Sequence, residues 1–205
     1  KIEHCSKPEN IIFEILETHS NIEDKGTLKP SQINGNICLE KLGFSYTQGE
    51  RIINDISLEI KSGETIALVG ATGAGKSTII NLISRFYEFD SGDITIDGIS
   101  IRKYDLKSLR NQVSVVLQDV FLFADSLFNN ITLFDSRISK DKVIEAAKNI
   151  GVHDFIESLP NGYDYNVKER GVMLSTGQRQ LIAFLRAYIS EPSILVLDEA
   201  TSSVD

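Results

Sequence analysis

Apolar positions follow two rhythms along this chain, and the alternation between them lays out its elements. From Ile37 to Ile60 the spacing suits strands: Ile37, Leu39 and Leu42 lead into Phe44-Ser45-Tyr46, Gln48-Gly49-Glu50 makes a turn, and Ile52–Ile60 alternates. Three further runs, Thr65–Val69, Val113–Leu117 and Ile194–Leu197, are continuously apolar, as in strands buried on both faces. A shorter strand is predicted over Asp93–Asp97, between turns at Ser91-Gly92 and Asp97-Gly98. Helical spacing takes over in Thr78, Ile79, Ile80, Leu82 and Ile83, and the pattern from Ser126 to Tyr188 is mostly helical. Within that stretch Lys140–Ile150 is amphipathic, Asp154–Leu159 is a shorter piece ended by Pro160-Asn161-Gly162, and Arg179–Ile189 is a strong helix with Ser175 in N-cap position. At the N-terminus Ile11, Ile12, Ile15 and Leu16 share a helical face behind Pro8. Asn21–Asn36, polar and carrying Gly26, Pro30 and Gly35, has the composition of a linker.

Between the Thr65–Val69 run and the helix after it lies Gly70-Ala71-Thr72-Gly73-Ala74-Gly75-Lys76-Ser77, which fits the phosphate-loop spacing G-x-x-x-x-G-K-[ST]. Backbone N–H groups can wrap a phosphate only where no Cβ intrudes, and glycine allows the positive φ that such a loop needs. The helix N-terminus aims its unpaired N–H groups and positive dipole end at the same anion. Lys76 would reach the β- and γ-phosphates of a nucleotide, and the Ser77 hydroxyl would coordinate Mg²⁺. A chance match to this spacing in 205 residues is on the order of one in a hundred, so the motif predicts nucleotide binding.

Other stretches gain meaning beside that loop. Asp198-Glu199 closes the Ile194–Leu197 run: Asp198 would hold Mg²⁺ through water and Glu199 would orient or deprotonate an attacking water, where otherwise the pair is a solvated acidic turn. Gln118 follows the Val113–Leu117 run, at the strand end where α/β sheets bind ligands, and is otherwise a polar strand cap. Leu174–Gln178 reads LSTGQ; Ser175 and Gly177 at a helix start suit either an ordinary cap or a γ-phosphate. Tyr46 could stack on a base, although alone it is more simply a tyrosine at a strand end.

Composition narrows the picture only a little. A chain of 205 residues with 41% hydrophobic content supports one large domain, or one and a half. A net charge of −8 and an isoelectric point near 5.0 argue against a nucleic-acid binder that relies on a basic surface. Cys5 and Cys38 match no metal or redox spacing, so free thiols in a reducing compartment are expected. No apolar run reaches the roughly 18 residues of a membrane span, and no signal peptide is visible, so this stretch is expected to be soluble.

Taken as a set and in order, these motifs resemble those of the nucleotide-binding domain of ABC transporters. The resemblance identifies Gly70–Ser77 as the P-loop, Gln118 as the Q-loop glutamine, Leu174–Gln178 as the signature, Ile194–Glu199 as the Walker B run and Ser202–Asp205 as the D-loop. Tyr46 matches the family's adenine-stacking aromatic. Gln118–Phe123 with Asn129-Asn130-Ile131, Lys168–Gly171 before the signature, and the Ile11–Leu16 helix resemble the exporter branch.

The fold implied is α/β: a P-loop NTPase core with a mostly parallel central sheet, an N-terminal antiparallel β subdomain and an α-helical subdomain. The layout implied is a connector helix and linker over 1–35 and an ATP-binding domain over 36–205. Within the latter, 36–64 is the antiparallel part, 65–118 the P-loop core, 119–188 mainly helical, and 189–205 the Walker B strand and D-loop.

The function implied is ATP binding and hydrolysis that powers a membrane exporter, with Mg²⁺, through a head-to-tail dimer of two such domains. Tyr46, Gly70, Thr72, Gly73, Ala74, Gly75, Lys76, Ser77, Thr78 and Gln118 would hold ATP in one copy. Ser175, Gly177, Gln178 and Asp205 would meet it from the partner. Ser77, Gln118 and Asp198 would serve the metal, and Glu199, Lys76 and Gln118 the chemistry. Transmembrane domains upstream on the same polypeptide would place the whole at the cytoplasmic face of the cell membrane, with no nucleic acid as partner.

Two departures stand out: Thr176 replaces the family's usual glycine, and the sequence stops at Asp205. The family continues with a strand, a switch histidine and a helical segment, and His4, His19 and His153 lie elsewhere. The missing strand predicts an unpaired edge or an exposed apolar face, weak nucleotide binding and poor hydrolysis for this stretch alone. A DNA-repair or chromosome-maintenance ATPase would need long coiled-coil insertions, whereas 55 residues without heptads separate Gln118 from Leu174. A P-loop small-molecule kinase has no need of LSTGQ.

Overall fold

The computed structural model describes residue 22 and residues 24–47, 49–117 and 119–198. The helix expected around Ile11–Leu16 lies outside them. The alternating section forms β1 (Ile37–Ser45) and β2 (Arg51–Ile60), paired antiparallel from Ile37 opposite Ile60 to Ser45 opposite Arg51. β1 also pairs antiparallel with β3 (Ser91–Ile96), and β3 with β4 (Ile99–Ser100), giving the order β2-β1-β3-β4. The other sheet joins β5 (Val113–Val116) and β6 (Ile194–Leu197) in parallel register, Val113 opposite Ile194.

Two hydrophobic cores result. One gathers Leu39, Leu42, Phe44 and Ile53 of the antiparallel sheet with Ile79, Leu82 and Ile83 of α1 (Lys76–Ile83) and the first residues of β5 and β6. The second lies among α3 (Leu127–Thr132), α4 (Lys140–Asn149), α5 (His153–Glu157) and α6 (Thr176–Ile189), centred on Leu127, Val143, Ile156, Ile182 and Leu185. A small-residue seam couples them: Ala183 and Ala187 of α6 pack on Val116 of β5, and Ser190 Oγ lies 3.1 Å from Ser114 Oγ. α6 thus runs antiparallel to β5, with its N-terminus toward the strand's carboxyl end.

Arg186 ties α6 to α3 and to the segment after β5. Its guanidinium donates to the Asn130 carbonyl and Oδ1 and to the Phe121 carbonyl, and burial lowers its pKa to about 10. Asn130 in turn grips Phe123 through both its backbone N–H and its carbonyl.

Two expectations need correction. Thr65–Val69 is not a buried strand: it makes no ladder with any described segment, and Ile66, Leu68 and Val69 are exposed, Val69 to 93%. A strand holds only where a neighbour takes its N–H and C=O groups, and among the described residues both sheets close without this segment. Residues 24–36 are no free linker either. Leu28 bridges Tyr104, Ile33 is buried in the first core, and the Asn34 and Asn36 N–H groups donate to the Asp97 carboxylate. A helix without a counterpart among the sequence expectations, α2 (Leu106–Gln112), is capped by Asp105, which accepts from the Ser108 N–H at 2.9 Å. Only Leu109 of its residues is buried, so an apolar periodicity hardly exists to be seen.

Candidate functional site

The loop ahead of α1 is shaped by its glycines. Gly73 and Gly75 have φ of 82° and 86°, and Gly75 is the N-cap of α1 in the left-handed region, with no side chain filling the cap. A Cβ on Gly75 would come within 2.6 Å of Ile53 Cδ1, so the loop is seated on β2 as closely as it can be. Left-handed residues alternating with others point successive N–H groups into one concavity, and the first N–H groups of α1 lack intrahelical partners. Gly70, Thr72, Gly73 and Ala74 are exposed, so an anion can reach the loop, although the Ala74 N–H donates to the Ala71 carbonyl at 3.1 Å.

Lys76, Ser77, Thr78, Tyr46 and Asp198 are each engaged with another group of the chain. Lys76 Nζ curls back to the Gly70 and Ala71 carbonyls at 2.8 and 2.9 Å. The Ser77 hydroxyl donates to Asp198 Oδ1 at 3.3 Å, and the Tyr46 hydroxyl to Thr78 Oγ1 at 3.3 Å. Asp198 is set by the parallel pair: its N–H extends the ladder to the Val116 carbonyl at 3.0 Å. The arrangement therefore brings Tyr46, the P-loop, Lys76, Ser77, Thr78 and Asp198 to one place, at the N-terminus of α1 and the carboxyl end of β6. Hydroxyl and carboxylate oxygens facing each other are the hard donors that Mg²⁺ takes, completed in nucleotide sites by phosphate and water oxygens. No cluster of three His, Cys, Asp or Glu occurs among the described residues, and such a site needs none.

The LSTGQ stretch forms a capping box. Ser175 Oγ accepts from the Gln178 N–H at 3.2 Å, and Gln178 Oε1 accepts from the Ser175 N–H at 2.9 Å. The Thr176 hydroxyl accepts from Arg179 at 3.2 Å, which turns its side chain along the helix surface. No hydrogen bond joins Ser175–Gln178 to the P-loop among the described residues. Gln118, Glu199 and Asp205 lie outside those residues.

Two features escaped the sequence. Tyr46 belongs to a triangle of rings with Phe44 and Tyr87, whose aromatic character was the available signal. Gln180, on the first turns of α6, is 1% exposed, and neither of its amide atoms has a hydrogen-bond partner among the described residues.

A family model described as ABC transporter matches residues 53–202, most of the chain. The chain belongs to the ABC transporter family. It carries the family's ATP-binding domain, and the match spans the P-loop, LSTGQ and Asp198 but neither Tyr46 nor Asp205. Among curated relatives, the Bacillus subtilis ABC transporter ATP-binding protein YknV is 46% identical over 95% of this chain and 32% of its own length. YgaD of the same organism, named as a candidate multidrug export ATP-binding/permease protein, is 45% identical over 95% of this chain and 34% of its own. Among solved structures, a bacterial Atm1-family ABC exporter with ATP bound superposes with a TM-score of 0.89 at 37% identity, covering 96% of this chain and 35% of that one. The chain spans about a third of the length of the relatives it matches. The α/β architecture with an antiparallel N-terminal sheet, a parallel pair and a helical region is that of these exporters' ATP-binding domain. No helix among the described residues is long and apolar enough to cross a membrane.

Proposed function

We propose that this domain hydrolyses ATP with Mg²⁺ to drive a membrane exporter, working as one half of a head-to-tail pair of ATP-binding domains. The observation that carries the proposal is the meeting of Lys76, Ser77 and Asp198 at a glycine-cradled helix start. Exchange is the physical principle. Lys76 leaves two loop carbonyls for the β- and γ-phosphates, the loop N–H groups take phosphate oxygens, and the Tyr46 ring stacks on adenine. Ser77, Gln118 and Asp198 would hold the metal, which supplies neutralisation of the triphosphate charge. Ser175 and the N–H groups of the partner's α6 start would face the γ-phosphate from across the dimer. Glu199 would accept a proton from the attacking water as its oxygen bonds to the γ-phosphorus and the bond to the β–γ bridging oxygen breaks, leaving ADP and phosphate.

Splitting the phosphate donors between two chains makes closure depend on the γ-phosphate, and its loss releases the pair. The names of the relatives support export as the work done and transmembrane domains as partners of the whole protein, at the cytoplasmic face of the membrane. The test is ATP-dependent dimerisation of a Glu199→Gln variant, followed by sedimentation or light scattering. Dimers with Mg-ATP that vanish on adding Lys76→Met are expected. An unchanged monomer at saturating Mg-ATP would refute the sandwich.

A further inference from the structure

Tyr46 does not stand alone at the end of β1. Its ring centroid lies 4.8 Å from that of Phe44 and 5.0 Å from that of Tyr87, with interplanar angles of 86° and 87°. Phe44 and Tyr87 are themselves 5.8 Å apart, so the three centroids close a triangle and the two neighbours sit on one side of Tyr46. The remaining side is open: Tyr46 is 48% exposed although two rings pack against it. The Tyr46 hydroxyl is held as well, by Thr78 beside Ser77. The ring is therefore fixed at its tip and along one side, which determines its plane.

Tyr87 has no other evident task. It lies beyond the end of α1, is 44% exposed, and its hydroxyl makes no hydrogen bond among the described residues. Its neighbour Phe86 turns elsewhere, under the Arg110 guanidinium 5.1 Å from the ring centroid. Phe44, by contrast, is a core residue at 3% exposure and would be in place with or without a ligand nearby. An exposed tyrosine set edge-to-face against another exposed tyrosine removes rotational freedom from its partner.

We propose that Tyr87 is a positioning residue for the nucleobase: its ring, with Phe44 behind, holds Tyr46 in the plane on which a flat purine stacks. The proposal rests on the P-loop of Gly70–Ser77 being the triphosphate site. What it adds is that affinity for the base, as distinct from the phosphates, depends on a residue outside the P-loop and its neighbouring motifs. A preset ring spends none of the stacking energy on being ordered, whereas a swinging one does.

The experiment compares two probes on the purified chain, ATP and inorganic tripolyphosphate, by calorimetry with magnesium. Tyr87→Leu is expected to weaken ATP by about two- to tenfold, the span of one aromatic pair, and to leave tripolyphosphate unchanged. Tyr87→Phe, which keeps the ring, is expected to bind both probes as the parent does. If the ratio of the two affinities is the same in Tyr87→Leu as in the parent, Tyr87 does not position the base; a variant that loses both probes equally counts as that outcome. Tyr87→Phe falling as far as Tyr87→Leu would also overturn the proposal, because the hydroxyl and not the ring would then matter. Failure of the underlying site looks different: tripolyphosphate would bind the parent and a Lys76→Met variant alike.

Discussion

The Ser77 hydroxyl donates to the Asp198 carboxylate across 3.3 Å, although 121 positions separate the two residues. Ser77 is held by the first turn of α1, and Asp198 by the hydrogen bond of its N–H to Val116. Two oxygen donors fixed by separate elements can keep one distance while a cation or water is exchanged between them. Asp198→Asn keeps the shape and removes the charge. Its ATP affinity with magnesium is expected to fall about ten- to hundredfold, toward the value in EDTA, as for loss of one charged interaction. Titration of parent and variant in both buffers checks this, and an undiminished magnesium effect in the variant would contradict the role given to Asp198.

Ser175 caps α6, and in the proposed dimer it would also face the partner's γ-phosphate; substitution can separate the two. Ser175→Ala breaks the capping box and is expected to cost about 1 kcal/mol in thermal or urea unfolding. Ser175→Asp restores an acceptor for the Gln178 N–H and places a negative charge at a helix N-terminus, so stability should return. That same charge would repel a γ-phosphate arriving from a partner, and ATP-driven dimerisation should be lost in both variants. Dimerisation at parental levels in Ser175→Asp would show that this helix start does not meet a phosphate.

Gln180 buries a carboxamide with neither atom satisfied. Such a group keeps its desolvation cost with nothing to offset it. Gln180→Met, close in volume, is expected to raise the unfolding free energy by about 1–2 kcal/mol. Chemical denaturation at unchanged m-value is the measurement, and a destabilised variant would mean that the amide is bonded in solution.

Glu88 links acid to stability. Burial pushes its carboxyl up, but hydrogen bonds from Arg85 and Arg102, at 2.7 and 3.0 Å, outweigh burial and hold it below its ordinary value of 4.5. With the folded pKa depressed, the unfolded state takes up protons first, so the stabilisation is present above about 4.5 and lost as pH falls through the folded value. The Tm should therefore drop on acidification below that point, and Glu88→Gln should flatten part of the slope. An identical pH profile in the variant would remove Glu88 as a source of the dependence.

Much of the domain was legible because local rules decide it. The eight residues Gly70–Ser77 specify a loop that only glycine can build, and the structure has Gly73 and Gly75 in the left-handed region. Ser175 and Gln178 announce a cap three residues apart, and the box forms. Continuous apolar runs at Val113 and Ile194 became the parallel pair, but not one buried on both faces, because Leu195 and Leu197 of β6 are 54% and 46% exposed. The run at Thr65–Val69 misled for a physical reason: apolar character marks what a strand could bury, but pairing requires a neighbour that the run itself does not encode. The polar stretch ahead of β1 is tied down by bonds that composition does not show: the backbone N–H groups of Asn34 and Asn36 and the Asn36 side-chain amide all donate to Asp97.

By itself, then, the order of residues determined that a glycine-shaped loop opens α1, and which acidic strand end lies beside it. Those depend on backbone freedom and side-chain chemistry within a few positions. Tertiary structure alone decided that Ser77 faces Asp198, that Tyr46 is braced by Phe44 and Tyr87, and that Arg186 ties α6 to Phe121 and Asn130. Apart from Phe44 and Tyr46, which share β1 and its end, these contacts join residues 41 to 121 positions apart, so no local rule of the sequence announces them.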